Sequence, residues 1–334
     1  MTNTICLDEN YSTTRLLCKI VNDECLRLNE DGRIKEECKW NINNLEFNIQ
    51  NSKLIGTPED KFETVLFLPE GEERKGEGGL RTKGYFKQSL EDKPLISIIT
   101  VVFNGEKYLE ETMQSVINQT YDNVEYIIID GGSTDGTLDI IKKYEDQIDY
   151  WVSERDKGIY DAMNKGIDAA TGEWINFMNA GDGFYADYVL SKIFSQNELK
   201  NIDIVYGNHN VVYPHKTRIA KAGNIKDIWK GSQFCHQSAF VSATVHKKNK
   251  FNLCNRIGAD FEFFYALYKK KKNFKYIDII VANYSAGGLS DIKRVDSIVG
   301  CWNVVDKNNR VNLYYIWIIL VEILKGWVKR VVGR

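Results

Sequence analysis

The stretch PLISIITVVFNGEKYLEETMQSVINQTYDNVEYIIIDGGSTDGT, residues 94–137, decides the fold. Its runs LISIITVVF and VEYIIID are rich in β-branched residues and too apolar for half-exposed strands, which predicts two buried strands. Between them, apolar residues recur at helical spacing at Leu109, Met113, Val116 and Ile117. Two buried strands joined by a helix predict a right-handed crossover and parallel pairing.

The alternation of strand and helix continues beyond this stretch. DGTLDIIKKYEDQI and IYDAMNKGIDAA have helical patterns, and DYWVS and EWINFM have strand patterns. The sequence therefore predicts an α/β fold with a mostly parallel sheet covered by helices on both faces. Ligands of such sheets bind beyond the carboxyl ends of the strands, which here are residues 100–104, 130–135, 154–158 and 179–182.

Length and composition limit the class of protein. The chain has 334 residues and a formal net charge of −2, so it can bury a large core and shows no global basic excess that would indicate a nucleic-acid partner. Its seven cysteines include no CxxC pair, which is typical of a reducing compartment. No basic segment followed by an apolar core opens the sequence, so we expect a cytoplasmic protein without a secretory signal.

Changes in composition divide the chain into three parts. Residues 1–92 are predicted to form a small N-terminal α+β module without a recognisable motif, ending in a glycine- and charge-rich linker at residues 69–92. Residues 93–305 form the α/β domain. Residues 306–334 form an amphipathic helix with basic residues at its end, whose apolar run is too short to cross a bilayer comfortably. An interfacial, membrane-associating helix is the favoured interpretation, and a helix packed on the domain or at a homodimer interface is the alternative.

Several charged side chains lie at the predicted strand ends. Asp130 is followed by two glycines, so it either completes a tight turn or accepts hydrogen bonds from a base or ribose. Asp135 fits a helix cap better. Downstream, Asp161 and Lys165 are spaced for a helical ion pair, although Lys165, like Arg155, could instead face a diphosphate.

Asp182 lies in the turn NAGD, which follows the strand pattern WINFM. A lone carboxylate at this point is a turn or cap residue, or it holds a divalent cation against a diphosphate together with nearby acidic side chains. The residue pattern alone leaves both interpretations open.

These motifs, continued by SERDKGIYDAMNKGIDAATGEWINFMNAGD, resemble the family 2 glycosyltransferases of the GT-A (Rossmann-like) fold, particularly bacterial enzymes of capsule, lipooligosaccharide and exopolysaccharide assembly. The resemblance is close over residues 94–190 and looser to about residue 290. It implies inverting transfer of a sugar from a nucleotide-diphosphate sugar, here a UDP-sugar, to a saccharide or lipid-linked acceptor. Such an enzyme would work at the inner leaflet of the cytoplasmic membrane as a peripheral protein.

The resemblance also implies roles for individual residues. Asp182 would bind Mg²⁺ or Mn²⁺, although NAGD carries one carboxylate where the commoner motif carries two, which puts metal dependence in question. Asp260 in RIGADFEFFYAL would be the general base, with Glu262 as the alternative base and a helix cap as the structural interpretation of Asp260. The donor nucleotide sugar would contact Thr100, Val102, Asn104, Asp130, Asp156, Lys165, Asn179, Ala180 and Gly181. Supporting positions are Glu154, Tyr160, Asp161, Asn164, His236 and Gln237.

Two other functions remain open at this point. A catalytically weak nucleotide-sugar-binding scaffold would keep the donor site but not the transfer activity. A sugar nucleotidyltransferase would normally carry a glycine-rich, basic phosphate loop after the first strand, whereas this chain has VVFNGEKY.

Overall fold

The computed structural model describes residues 63–332, except 72, 91, 196 and 197, and before residue 63 it describes five strands. The helices are α1 Leu109–Ile117, α2 Thr137–Lys143, α3 Ile159–Ala169, α4 Val189–Phe194, α5 Ala243–Lys248, α6 Ala259–Lys269, α7 Leu289–Ile292, α8 Arg294–Val304 and α9 Asn309–Val332. The strands are β1 Ile5–Cys6, β2 Cys18–Ile20, β3 Cys38–Ile42, β4 Leu45–Gln50, β5 Lys53–Ile55, β6 Glu63–Val65, β7 Gly76–Gly78, β8 Tyr85–Phe86, β9 Ile96–Val102, β10 Val124–Asp130, β11 Tyr150–Ser153, β12 Trp174–Phe177, β13 Gly183–Phe184, β14 Ile204–Tyr213, β15 Lys216–Ala220, β16 Ala239–Ser242 and β17 Phe274–Ser285.

The main sheet has the order β13-β17-β14-β16-β12-β9-β10-β11-β7, with β15 paired to β14. Its centre, β12-β9-β10-β11, is parallel throughout, as the sequence predicts. Strand β16 pairs antiparallel with both β12 and β14, and short antiparallel strands flank each end of the sheet. The sheet is therefore mixed. Its parallel part is the part that the alternation of strand and helix patterns in the sequence predicts.

Helices cover both faces of the central strands, which confirms the predicted α/β fold. Ile96 and Ile98 of β9 pack in the cluster that contains Met113 of α1, whereas Ile99 packs in the cluster that contains Met163 of α3. Successive side chains of a strand point to opposite faces, so an uninterrupted apolar strand needs a cover on each side.

The segment predicted as a linker, residues 69–92, packs against the sheet where the structure describes it. Strand β7 extends the sheet beside β11. Arg81 pairs with Glu125 of β10 at 2.5 Å between Nη2 and Oε1, and both side chains are only 2% exposed. Lys87 pairs with Asp149 in the same buried manner. The composition of this segment resembles that of a linker, since it is rich in glycine and charge. Its packing is not visible in the sequence because the partners of Arg81 and Lys87 lie far away along the chain. The three-part division at residues 92 and 305 stays a prediction.

The described parts of the N-terminal region form antiparallel strands. One small sheet has the order β3-β4-β5-β6, and another joins β1 and β2 to β8. The predicted helical part of an α+β module would lie outside the described residues of this region, apart from the short 3₁₀ turn Leu80–Lys83.

The C-terminal helix α9 is anchored at its beginning and exposed beyond it. Val311 and Tyr315 are buried, and the Tyr315 ring stacks on Trp302 of α8. Beyond this contact the exposed apolar side chains are Ile316, Trp317, Leu320, Ile323, Leu324, Trp327 and Val328. The segment Asn309–Val328 is long and apolar enough to cross a bilayer, with a mean hydropathy of 1.5. From the sequence, the apolar run of this helix is expected to be too short to cross a bilayer, since Glu322 interrupts it. In the structure the helix continues through Glu322, so the apolar segment is longer.

Candidate functional site

The site lies where the carboxyl ends of the central strands meet, and the loop after β9 is tied to the loop after β10. The Asn104 backbone N–H donates to Ser133 Oγ at 2.7 Å. The Thr134 backbone N–H donates to the Asn104 side-chain oxygen at 2.8 Å. Asn104 adopts φ 51°, a left-handed conformation that Asn tolerates better than most residues. Asn104 therefore lies at the predicted edge and joins two of the four strand ends.

Thr100 and Asp130 reach the same edge, but their side chains are completely buried. Thr100 donates to the Met178 carbonyl at 2.8 Å. Asp130 accepts the Ser133 backbone N–H at 3.0 Å and the Ser153 hydroxyl at 2.5 Å. Their hydrogen-bonding groups hold neighbouring strands together, and their predicted contact with a nucleotide stays a prediction. They form the floor of the site.

Val102 is also buried, in the core cluster beneath α1. A nucleotide at this edge would therefore meet the backbone next to Val102 rather than the Val102 side chain. Asp135 accepts the Thr137 backbone N–H at 3.1 Å at the start of α2, which fits its interpretation as a turn or cap residue.

Asp156 and Phe103 both lie against Gly131, at the carboxyl ends of the central strands. One Asp156 oxygen accepts the Gly158 N–H at 2.8 Å, and a Cβ added to Gly131 would lie 2.4 Å from the other oxygen and 3.4 Å from the Phe103 ring. Phe103 is 64% exposed although it directly follows a buried strand. A carboxylate beside an exposed aromatic ring suits a nucleoside, whose base stacks and whose ribose donates hydrogen bonds. Sequence reasoning missed Phe103; the signal was an aromatic residue between an apolar strand and an Asn-Gly turn.

The cations predicted to face a diphosphate have protein partners. Lys165 Nζ lies 2.6 Å from Glu154 Oε1, and Arg74 Nη2 lies 2.6 Å from Glu154 Oε2. Burial opposes ionisation of Glu154, but these two cations lower its pKa below the ordinary value. Lys165 therefore stabilises the loop that carries Asp156, and its contact with a diphosphate stays a prediction.

The anticipated helical pair of Asp161 with Lys165 is not the contact that forms. Asp161 instead accepts the Lys157 backbone N–H at 2.9 Å in the turn before α3. Asn164, also predicted to support the site, donates to the Phe251 carbonyl and accepts the Phe251 N–H, both at 2.9 Å. Arg155 is exposed and lies 3.5 Å from Glu73.

Asp182 follows β12 and faces the turn His236–Ser238. Its Oδ2 accepts the Gln237 side-chain N–H at 2.6 Å, and its Oδ1 accepts the Ser285 backbone N–H at 3.0 Å. Burial raises the pKa of the Asp182 carboxyl above its usual range. The preceding Gly181 has φ 98°, which favours glycine, and its N–H donates to Thr112 Oγ1.

The surroundings of Asp182 contain ligand oxygens suited to a hard cation. The side-chain oxygens of Asn179 and Gln237 are buried without a hydrogen-bond partner among the described residues. Carboxylate and amide oxygens are what Mg²⁺ and Mn²⁺ prefer. No group of three His, Cys, Asp or Glu side chains within the described ranges could hold a metal, so a cation here would take further ligands from phosphate and water. The residues present therefore fit a cation that binds together with a diphosphate.

Asp260, in the first turn of α6, receives two hydrogen-bonding side chains. Its Oδ1 accepts the Tyr160 hydroxyl at 3.1 Å, and its Oδ2 lies 3.3 Å from His236 Nδ1. His236 Nε2 in turn lies 3.1 Å from the Asn179 amide nitrogen. Burial by itself would raise the pKa of Asp260, but hydrogen bonds from His236, the Phe261 backbone and Tyr160 outweigh it and the pKa is lowered. Gly258 is the N-cap of α6, so the cap interpretation does not describe Asp260.

Glu262, the alternative base, is held elsewhere. Its two oxygens accept the side-chain N–H groups of Asn252 and Asn255, each at 2.9 Å. It has no contact with His236 among its hydrogen bonds, whereas Asp260 does. Of the two predicted bases, Asp260 is therefore the one joined to the strand ends.

His236 and Gln237 are neighbours in one 3₁₀ turn, and each binds a different carboxylate of the site. Gln237 binds Asp182 and His236 binds Asp260, so a candidate metal ligand and a candidate base line one cleft. The site combines oxygen ligands suited to a cation, an exposed aromatic ring beside a carboxylate, and a second carboxylate with a lowered pKa. This combination suits displacement of a diphosphate by a hydroxyl group.

Comparisons with known proteins show the family to which the chain belongs. The model of the family described as "Glycosyl transferase family 2" matches residues 97–276, more than half of the chain. A PGL/p-HBAD biosynthesis glycosyltransferase, from both Mycobacterium bovis and Mycobacterium tuberculosis, is 31% identical over 205 residues, which are 59% of this chain and 80% of the relative. An uncharacterized glycosyltransferase of Rickettsia typhi is 37% identical over 112 residues, covering 34% of this chain and 35% of its own.

Solved structures show the same fold at low identity. A mannosyltransferase from Pyrobaculum calidifontis, in complex with GDP-Man and Mn²⁺, has a TM-score of 0.51 and 17% identity, covering 66% of this chain and 67% of its own. The S. aureus protein TarS, in complex with UDP-GlcNAc, has a TM-score of 0.50 and 16% identity, covering 66% of this chain and 70% of its own.

Proposed function

The chain belongs to glycosyl transferase family 2 and has the GT-A fold, and from this premise we propose that it transfers one sugar, with inversion, from a nucleotide-diphosphate sugar to a saccharide or lipid-linked acceptor. The observation that carries the proposal is that Asp182 and Asp260 line one cleft through the adjacent residues His236 and Gln237. A donor diphosphate at Asp182 leaves its anomeric carbon between the two carboxylates.

The proposed donor is a UDP-sugar. Phe103 would stack on the base and Asp156 would accept hydrogen bonds from the nucleoside, with Gly131 leaving the space between them. Asn104, Asn179, Ala180 and Gly181 would border the ribose and diphosphate. The solved structures of similar fold contain UDP-GlcNAc or GDP-Man, which supports a nucleotide sugar but does not decide between the bases.

A divalent cation, Mg²⁺ or Mn²⁺, would be held by Asp182 with the amide oxygens of Asn179 and Gln237. When bound, it would supply positive charge that offsets the negative charge of the departing diphosphate.

The chain's own residues carry out the proton transfer and the positioning. Asp260 takes the proton of the acceptor hydroxyl while that oxygen forms a bond to the anomeric carbon. The bond from the anomeric carbon to the diphosphate oxygen breaks on the opposite face, and its electron pair leaves with the nucleoside diphosphate. His236 and Tyr160 hold the Asp260 carboxylate ionised and oriented towards the cleft.

We place this reaction in the assembly of a bacterial surface polysaccharide, at the cytoplasmic face of the membrane. The support is helix α9, whose exposed apolar side chains include two tryptophans and whose sequence ends in basic residues. Amphipathic helices of this composition bind anionic bilayer surfaces. Because Val311 and Tyr315 stay packed on the domain, we propose that α9 docks on the bilayer without spanning it.

The experiment that tests the proposed function is a thermal-shift and calorimetric screen of nucleotides and nucleotide sugars, with and without Mn²⁺, on the wild type and Asp182→Ala. Ligands that bind the native state raise its free energy of unfolding by an amount that grows with the logarithm of their concentration divided by Kd. We expect one UDP-sugar to stabilise the wild type, more strongly with Mn²⁺, and Asp182→Ala to lose the effect of the metal. Absence of any response to nucleotides contradicts the proposal. Donor binding without turnover on every acceptor tried would favour the scaffold function instead.

A further inference from the structure

An open cavity lies against helix α6, on the side that carries Glu262. Its volume is about 600 Å³, and it is lined by the loop at residues 252–255, helix α6 and helix α8. Pockets for small ligands commonly measure ~300–1,000 Å³. The polar and aromatic side chains in its lining include Asn252, Asn255, Glu262, Tyr265 and Asn303.

The polar groups of this cavity are arranged in advance of any ligand. Glu262 holds Asn252 and Asn255 side by side, with each amide donating one N–H to a different carboxylate oxygen. Each amide keeps a second N–H, and each carboxylate oxygen keeps a second lone pair. The result is a fixed row of donors and acceptors beside an aromatic ring, Tyr265, in the wall. Sugar hydroxyls both donate and accept, so they match such a row.

The charge of Glu262 disfavours anionic ligands in this cavity. Among the residues that line the cavity there is one carboxylate and no Lys, Arg or His. A phosphate or another anion would therefore meet the Glu262 charge without a compensating cation. An uncharged, hydroxyl-rich ligand meets no such repulsion.

The cavity adjoins the proposed base. Asp260 is two residues before Glu262 on α6, and Cys301 follows the cavity residue Gly300 on α8. Helix α8 packs against helix α6, so the cavity between them begins within one helical turn of Asp260. A chain of sugars with its end at Asp260 would have the cavity within reach.

We propose that this cavity binds an uncharged oligosaccharide, the part of the acceptor beyond the sugar that receives the transferred residue. The proposal rests on the proposed function for the identity of that acceptor. The site itself can be tested by binding alone.

The variant that tests it is Gly300→Leu. A Cβ at this helical glycine would meet no atom within 4 Å, so the new side chain enters the cavity without a clash, and replacing a helical glycine also favours the helix. Ala266→Trp, at an exposed position of α6 that also lines the cavity, blocks it from the facing wall. Asp296→Leu, exposed on α8 and outside the cavity, is the matched control.

The probe is an array of bacterial surface oligosaccharides of increasing length, followed by calorimetry on the glycans that bind the wild type. We expect Gly300→Leu and Ala266→Trp to bind those glycans at least ~10-fold more weakly, and Asp296→Leu to bind them as the wild type does. Equal binding by all four proteins, or no glycan binding by the wild type, overturns the proposal.

Donor binding, measured on the same preparations, separates the two proposals. If glycans bind through the cavity but no nucleotide sugar binds, the proposed transfer reaction fails and the saccharide site stands. If a nucleotide sugar binds but blocking the cavity leaves glycan binding unchanged, the cavity proposal fails and the transfer reaction stands.

Discussion

The imidazole of His236 lies 3.3 Å from the carboxylate of Asp260, measured between Nδ1 and Oδ2. The other ring nitrogen faces the amide nitrogen of Asn179, which can only donate. That contact leaves Nε2 as the acceptor and places the ring proton on Nδ1, towards Asp260. A residue beside the candidate metal ligand thus determines the orientation and ionisation of the candidate base.

Asp260→Asn should abolish most of the transfer activity, because the amide cannot take the acceptor proton. General-base catalysis contributes ~10²–10⁴-fold, and we expect kcat to fall by that order while donor affinity changes little. Steady-state kinetics and donor calorimetry check this. Asp168→Asn, which removes the charge of an exposed partner of Lys250, is the control and should retain activity. A wild-type transfer rate in Asp260→Asn would exclude Asp260 as the base.

His236→Ala should move the acidic limb of the pH profile of kcat/KM to higher pH. In the wild type, the pKa of Asp260 lies below its ordinary value, so the carboxylate stays ionised until the pH falls through that low pKa. Without His236, burial is left with less opposition, the pKa rises, and protonation removes the base at a higher pH. The exposed His215 provides the control variant His215→Ala. An acidic limb that does not move would show that His236 does not support the charge of Asp260.

Phe103→Ala should weaken nucleotide binding without affecting the fold. Stacking of a base on an aromatic ring is worth ~1–3 kcal/mol, and the Phe103 side chain is largely exposed. Calorimetry with UDP and thermal unfolding measure the two effects. The control is Ile219→Ala, which removes an exposed apolar side chain from strand β15. It should change neither the affinity for UDP nor the thermal unfolding. Unchanged affinity for UDP in Phe103→Ala would place the base elsewhere.

Arg81→Met should destabilise the protein strongly. The change leaves the buried carboxylate of Glu125 without its cation, and breaking such a pair costs ~3–5 kcal/mol in the free energy of unfolding. Urea denaturation of Arg81→Met, compared with the double variant Arg81→Met/Glu125→Leu, measures this cost, and the double variant should recover part of it. Lys83→Met removes an exposed ion pair with Asp146 nearby and should cost ~0–1 kcal/mol. A similarly small cost for Arg81→Met would mean that this segment does not stabilise the sheet.

Replacing Trp317, Leu320 and Leu324 of α9 by serine should reduce cosedimentation with anionic vesicles. Burying each large apolar side chain is worth ~1.5–3 kcal/mol, so the triple variant should bind at least ~100-fold more weakly. Its thermal unfolding should change little, because these side chains are about 60% exposed. Asn309→Ser, at the start of the same helix, is the control. Unchanged vesicle binding with a loss of self-association would identify α9 as a homodimer interface instead.

The amino-acid sequence by itself determined the centre of this protein. The continuous apolar, β-branched runs of β9 and β10 and the helical spacing in α1 are local properties, so the parallel core, its covering helices and the edge where ligands bind could all be predicted. Asp182 and Asp260 could be named because the motifs around them, NAGD and RIGADFEFFYAL, resemble those of the family.

Only the tertiary structure decided which groups those residues meet. Glu125 lies 44 residues from Arg81, and Lys165 pairs with Glu154 rather than with Asp161. It also decided that Thr100 and Asp130 serve the floor of the sheet while Phe103 stays open to a ligand. The physical reason is that hydropathy repeats along the chain, whereas burial and the pairing of charges depend on elements that meet only once the sheet has formed.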